Sequence, residues 1–405
     1  MHSFTYFCGM NERENLFLRH VGQTSPFPLQ LDIERAKGVH FYAADGKSYI
    51  DFTSGIAVSN LGHQNKAIVK AIKKQVYKHL HTMVYGEFVE APQVKLAKTL
   101  TDLLPACLNC VYYCTSGSET VEAAMKLAKR KTGRSEIISC LGSYHGSTHG
   151  ALSIMGSDRY KQPYYPLLPD TRLIRYNEHI DLELITDKTA AVFIEVVQAA
   201  SGVTPADKEW LTELAKQCKS TGAVLVFDEV QTGFGRTGSM FAFEQYGVIP
   251  DMLLLAKAMG GGVPIGALVA RRELLQLFTT NPILGHINTF GGNALACAAS
   301  LAMVKQLKKK PELIQNVKEK AELIKEHLRH ERIEKITNAG LLMGVHFKDG
   351  EIAKQFMQNC LDEGVVLIGF LLNDKAIRLA PPLTITRKEI LNACKKMNKA
   401  LEKIN

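Results

Sequence analysis

No apolar stretch of this chain approaches the roughly 18 residues that would cross a membrane as a helix, so no membrane association is expected. The opening Met1-His2-Ser3-Phe4-Thr5-Tyr6-Phe7 lacks both a charged n-region and a long apolar core. It does not read as a signal peptide, and Met10 offers a second start. Cysteine is scattered: nine residues, an odd number, give no disulfide framework and point to a reducing compartment, the cytoplasm. Cys107, Cys110 and Cys114 come near a zinc-like spacing, but the last two flank the strand-like Val111-Tyr112-Tyr113 and no second ligand pair follows. They read as small buried hydrophobes, and no metal site is expected. Repeats, low-complexity tracts and long linkers are also missing. Neither sign of charge dominates: 49 Lys and Arg against 40 Asp and Glu leave +9, which suits anionic small molecules and is weak support for nucleic acid. The basic run 305–310 reads as a solvated helix face, because Glu312, Glu319, Glu322 and Glu326 follow it.

What is present is an ordinary soluble composition, 46% hydrophobic and 22% charged over 405 residues, long enough for two domains and a large core. Three apolar runs end in a charged residue. Val224-Leu225-Val226-Phe227 reads as a strand buried on both faces; it ends in Asp228-Glu229, and Gly233, Gly235 and Gly238 follow in a turn. An acid at the carboxyl end of a buried parallel strand lies where open α/β sheets place ligands. A buried carboxylate needs a cationic or hydrogen-bonding partner; the bland alternative is an Asp capping a helix in a tight βα turn. Met252-Leu253-Leu254-Leu255-Ala256 ends in Lys257, one strand-to-strand excursion later, before Gly260-Gly261-Gly262. Desolvation there lowers the pKa of a lysine and makes it a Schiff-base nucleophile, unless it snorkels to the surface. Ala190-Ala191-Val192-Phe193-Ile194 ends in Glu195, with Gln198 three residues on.

Between these runs, helices are expected over 64–80 and 91–104, and Asp45-Gly46 marks a hairpin between 39–42 and 48–50. Thr115-Ser116-Gly117-Ser118-Glu119 links a strand at 111–114 to a helical pattern from Val121; free amides and a hydroxyl there suit a phosphate, or merely a helix cap. Tyr144-His145-Gly146 follows a strand over 136–140. After about residue 296 the pattern turns helical, through 296–308 and 311–331, with short strands at 341–347 and 376–379.

Together these motifs resemble the class III aminotransferases, fold-type-I enzymes dependent on pyridoxal 5'-phosphate (the ornithine, acetylornithine and 4-aminobutyrate type), over residues 28–395. The resemblance implies an α/β fold: a large domain, 56–295, with a mostly parallel sheet flanked by helices, and a small α+β domain from 1–55 and 296–405. It implies a homodimer with shared active sites. Lys257 matches the lysine bonded to the cofactor and Asp228 the partner of its pyridine nitrogen. Gly117 and Ser118 match the phosphate pair, and Glu119 an acid near the site. Tyr144 matches a stacking aromatic with His145 beside it, and Val230 packs on the opposite ring face. Glu195 matches a strand-end acid, Gln231 a donor to the phenolic oxygen, and Thr289 a residue reaching the neighbouring subunit's phosphate. Ile56 lies beside the substrate, and Arg378 matches the arginine that forks its carboxylate, or else a structural salt bridge.

Two departures concern substrate. Many ω-amino-donor members have Gly-Glu where this chain has Ala199-Ala200, and that glutamate neutralises the arginine matching Arg378. Members binding 4-aminobutyrate or acylated ornithine have an arginine where Ser147 stands. The resemblance implies transfer of an amino group from an amino acid or ω-amino donor to a 2-oxo acid, 2-oxoglutarate or pyruvate, by ping-pong. A racemase or a decarboxylating relative would share every cofactor residue, and a nucleic-acid-binding protein using the Lys-rich helix is the remaining alternative.

Overall fold

The computed structural model describes residues 12–83 and 86–404, so the signal-peptide and start-site readings lie outside the described residues. Seven strands form the central sheet, in the spatial order Cys110–Cys114, Gly266–Ala270, Met252–Leu255, Val224–Asp228, Thr189–Ile194, Glu136–Cys140 and Thr171–Ile174. All run parallel except Gly266–Ala270, which is antiparallel to both neighbours. The apolar runs are unbroken because alternate residues enter different cores. Leu225, Phe227, Leu253 and Leu255 join the cluster on one face, and Val224, Val226, Met252 and Leu254 the cluster on the other. Each such side chain taken from water contributes about 1.5–3 kcal/mol.

Helices cover both faces, and their limits are set by caps. Ser116 accepts from the Glu119 N–H to start Gly117–Thr132, and Gly133 stops it in the left-handed region at φ 70°. Asn65 caps Lys66–Val76, so the helix expected over 64–80 is shorter at both ends. The helix expected over 311–331 is two pieces, Glu312–Gln315 and Val317–His327, because Asn316 takes ψ near 0°.

Both ends of the chain meet outside this sheet. Ile33–Lys37, His40–Ala43 and Ser48–Asp51 form an antiparallel meander, which Val365–Val366 extends by pairing parallel with Ser48–Asp51. Lys335–Ala339, Leu342–His346, Ala376–Leu379 and Ile368–Gly369 form a second, antiparallel sheet. Among the described residues no helix is long and apolar enough to cross a membrane.

Candidate active site

The carboxyl ends of the parallel strands open on one cavity of about 320 Å³, lined by Thr115–Ser118, Tyr144–Gly146, Glu195, Asp228, Gln231 and Lys257 among others. Such convergence follows from topology: every parallel strand delivers the residue after its last rung to the same edge.

Asp228 and Glu229, adjacent in sequence, face opposite ways. Asp228 lines the cavity; its Oδ2 lies 2.8 Å from His145 Nδ1 and its Oδ1 accepts the Val230 N–H at 3.0 Å. Turns rather than a helix follow, so Asp228 is not a helix cap. Glu229 is fully buried beneath the glycine-rich turn, accepting the N–H groups of Ala242 and Phe243 at 2.7 Å and the Thr232 hydroxyl at 3.1 Å. Burial pushes its pKa up to about 7 despite those donors.

Lys257 starts a short 3-10 turn with φ of 45°, a conformation costly for a residue with a Cβ, and Gly261 and Gly262 follow with positive φ. Its amine does not snorkel: Lys257 lines the cavity, with Nζ 3.5 Å from Gln231 Oε1. Burial lowers its pKa to about 8; Asp228 opposes the shift, and Arg378 adds to it. Burial also disfavours a charged His145, yet its bond to Asp228 and the charges of Asp228 and Glu195 raise its pKa overall. Glu195 is raised by burial, which outweighs the charge of His145 and the N–H groups of Tyr144 and Ala199 that it accepts at 2.9 and 3.1 Å.

On the far side, Gly117 opens a 16-residue helix whose first amides have no intrahelical partner. A Cβ at Gly117 would stand 2.9 Å from Val230 Cγ1, and one at Gly146 would stand 2.2 Å from Ser118 Oγ, so both glycines keep this end of the cavity open. Among the described residues, His145 Nε2 and Gln231 Nε2 are buried without a partner.

Pyridoxal phosphate fits this donor set: a carboxylate for its ring nitrogen, an amine of lowered pKa for its aldehyde, a helix N-terminus for its phosphate and an unsatisfied amide for its phenolic oxygen. The chain belongs to the class III aminotransferases, whose family model matches residues 22–401. It is 38% identical to an acetylornithine aminotransferase of Archaeoglobus fulgidus over 88% of this chain and 92% of that one. It is 37% identical to a putrescine aminotransferase of Pectobacterium atrosepticum over 89% and 80%. Among solved structures, ornithine aminotransferase from Toxoplasma gondii superposes with a TM-score of 0.88 at 25% identity, covering 96% of this chain and 93% of that one. Adenosylmethionine-8-amino-7-oxononanoate aminotransferase from Methanocaldococcus jannaschii gives 0.88 at 28% identity, covering 96% and 98%. The protein is therefore a fold-type-I, pyridoxal-phosphate-dependent aminotransferase, moving an amino group from an amino acid or ω-amino donor to a 2-oxo acid at one site used in turn. The racemase and decarboxylase alternatives find no support among these relatives.

Gly117, Ser118, Tyr144, His145, Glu195, Asp228, Val230, Gln231 and Lys257 are brought together around the cavity. Ile56, Arg378 and Thr289 are not among its lining residues. Ile56 sits 37% exposed in a turn where Ser54, Gly55, Ile56 and Ala57 all have φ between 48° and 64°; Val58, just after it, reaches the cavity instead. Thr289 is on an exposed loop, and Glu119 turns from the cavity to hold Thr115 and Asn288. Arg378 is buried on the second sheet, with Nη2 3.4 Å from the Ala199 carbonyl, its guanidinium 4.7 Å above the Phe370 ring and Nε unpartnered. Thr115, Thr232 and Ile265 also line the cavity without having been singled out; position beside a named motif was their only signal in the sequence.

Proposed function

We propose that this aminotransferase recognises the carboxylate of its amino donor and of its 2-oxo acid through Arg378. The observation that carries the reading is the guanidinium itself. It is 5% exposed, and among the described residues it meets no carboxylate, only the Ala199 carbonyl and the Phe370 ring. Burial lowers its pKa to about 10, with Glu195 opposing, so it remains a cation at neutral pH. A buried guanidinium without a counterion is costly, and a substrate carboxylate relieves that cost. Ala199 belongs to an apolar patch and Ala200 beside it is buried, so neither position supplies an acid to occupy Arg378 between half-reactions. Ser147 is exposed and pairs with the Tyr144 hydroxyl at 3.1 Å, so this position itself supplies no cation for a second carboxylate.

When bound, pyridoxal phosphate supplies an aldehyde that bonds amines and a protonated ring that accepts electron density. In our assignment Lys257 is the covalent lysine and, once displaced by the donor, the base that carries the proton from the substrate Cα. Asp228 keeps the ring nitrogen protonated, oriented by His145 and the Val230 N–H. Gly117 and Ser118 would hold the phosphate, and Tyr144 and Val230 would flank the ring. Gln231 donates to the phenolic oxygen, Glu195 steadies the Tyr144 loop, and Ile56 lies beside the substrate.

We assign residues 56–295 to a large domain and 1–55 with 296–405 to a small one, a division that the pairing of Ile50 with Val365 supports. We further place the protein in the cytoplasm, where its free cysteines would persist, as a homodimer to whose partner site Thr289 reaches. Ile283, Leu284, Ile287 and Phe290, close to Thr289 in sequence, are exposed, and the Phe290 ring lies 4.9 Å from His81, next in sequence to the exposed Leu80. An apolar surface of this extent supports burial against a second copy.

The test compares alanine, ornithine, lysine, 4-aminobutyrate and a simple ω-amine as donors, with wild type and Arg378→Gln. Losing a charge-assisted bond of about 1.5–3 kcal/mol should lower kcat/KM tenfold or more for α-amino acids and leave the ω-amine unchanged. A best rate with 4-aminobutyrate by a wide margin, or an Arg378→Gln variant with unaltered α-amino acid kinetics, would overturn the reading.

A further inference from the structure

The glycine-rich turn after Gln231 carries an arginine that the cavity does not use. Arg236 is fully buried. Its Nη1 donates to the Leu341 carbonyl at 3.0 Å and the Pro381 carbonyl at 2.6 Å, and its Nη2 donates to Asn60 Oδ1. No acid pairs with it among the described residues, and its Nε has no partner. Burial lowers its pKa to about 9, with Asp51 the opposing charge. A buried guanidinium satisfied only by neutral oxygens is costly to maintain, and replacing such a group with an apolar one is often neutral or stabilising. Stability alone is therefore a poor reason for it. What it does supply is a fork whose acceptors come from three separate segments.

Those segments are the ones that set the substrate side. Asn60, whose Nδ2 donates to the Phe234 carbonyl at 2.9 Å, closes the left-handed turn that carries Ile56 and Val58. The same turn is tied to the strand after Arg378: Ser54 Oγ donates to the Ala380 carbonyl at 2.7 Å, and the Ala380 N–H to the Phe52 carbonyl at 2.7 Å. Pro381, three residues after Arg378, accepts from Arg236 Nη1 at 2.6 Å. The Leu383 N–H returns to the Asn60 carbonyl at 2.8 Å, and the Leu341 N–H to the Arg236 carbonyl at 3.0 Å. Packing is tight, since a Cβ at Gly235 would stand 2.9 Å from both Ile314 and Leu383. Arg236 thus joins the loop leaving Asp228 and Gln231 to the segments that present Arg378 and Ile56.

We propose that Arg236 is a positioning residue: it fixes Arg378 and the Ser54–Ala57 turn against the Asp228 strand end, and so sets affinity for the substrate carboxylate. This rests on Arg378 being the carboxylate site. Lysine, with one compact ammonium, reaches at most part of this triangle.

The test measures glutarate, an unreactive dicarboxylate, binding to holoenzyme by calorimetry, together with KM and kcat for an α-amino acid. Pyridoxal phosphate affinity of the apoprotein serves as the control. Arg236→Lys should weaken glutarate binding and raise KM at least tenfold, with kcat and cofactor affinity changed less than threefold. A lower melting temperature with unaltered glutarate affinity, or equal losses of glutarate and cofactor affinity, would overturn the proposal. Asn60→Ala loosens the same bridge without removing the guanidinium and should give the same split should Arg236→Lys not fold; unaltered glutarate binding in that variant also overturns it. Arg378→Gln separates the two claims. Glutarate binding lost there but kept in the Arg236 and Asn60 variants refutes the positioning role alone, whereas binding kept in Arg378→Gln refutes the carboxylate site beneath it.

Discussion

Replacing Asp228 with asparagine removes one charge and almost no volume. The asparagine Oδ1 can keep the 3.0 Å bond from the Val230 N–H, so the turn holds. Its amide then faces His145 Nδ1, which the carboxylate approached at 2.8 Å. That nitrogen must now accept, moving the imidazole proton to Nε2, and the raised pKa of His145 falls because its largest upward contribution is gone. A charge-assisted hydrogen bond of about 1.5–3 kcal/mol, absent from the transition state, slows the step about ten- to a hundredfold. Loss of the proton on the ring nitrogen slows it further. Lys257 reports on the same charge: Asp228 holds its pKa up against burial at about 8, so the variant amine loses its proton at lower pH. The assay is the single-turnover half-reaction of loaded enzyme with an amino acid, and beside it the pH dependence of cofactor capture by apoprotein. A loaded Asp228→Asn enzyme within about threefold of the wild-type half-reaction rate would refute the role of Asp228. An unmoved midpoint for cofactor capture would refute its coupling to Lys257.

The buried Glu229 predicts a pH-dependent stability: its folded pKa of about 7 exceeds the ordinary glutamate value of 4.5, so its contribution is complete below 4.5 and lost as pH rises through 7. The loss is on the order of 3 kcal/mol, and Glu229→Gln should flatten the fall in melting temperature between pH 5 and 8 measured by calorimetry, at about those pH values. An unflattened profile would show that Glu229 is not the group responsible. For the shared site, mixing inactive Lys257→Ala and Thr289→Ala chains should restore partial activity, because each heterodimer contains one site with both residues intact. Heterodimers that form and stay inactive would place Thr289 outside the partner's site.

The sequence was most legible where two structural demands coincide. Val224–Asp228 must bury both faces and present a charge at its end, so its apolar run and terminal acid mark strand and site together. Lys257 was legible for the same reason, as a cation closing a buried strand. Gly266–Ala270, the antiparallel member of the sheet, carries small residues and a glycine whose Cβ would stand 2.5 Å from the Ser116 carbonyl, so close approach overrides β-propensity there. The break at Asn316 depends on one backbone angle, which the helical periodicity around it does not record. Arg236 was hidden differently. Its acceptors Asn60, Leu341 and Pro381 are distant in sequence and two are backbone carbonyls, so no motif encodes the cluster. Ile56 shows a related limit: the resemblance sets it beside the substrate, but no sequence signal records the four left-handed residues in a row around it or the placement of Val58 at the cavity.

The most direct measurement is to reduce the loaded enzyme with borohydride, digest it and locate the pyridoxyl group by mass spectrometry. The assignment of Lys257 as the covalent lysine predicts one label, at that residue, and none in a Lys257→Ala protein. A label on another lysine, or one that survives Lys257→Ala, would contradict it.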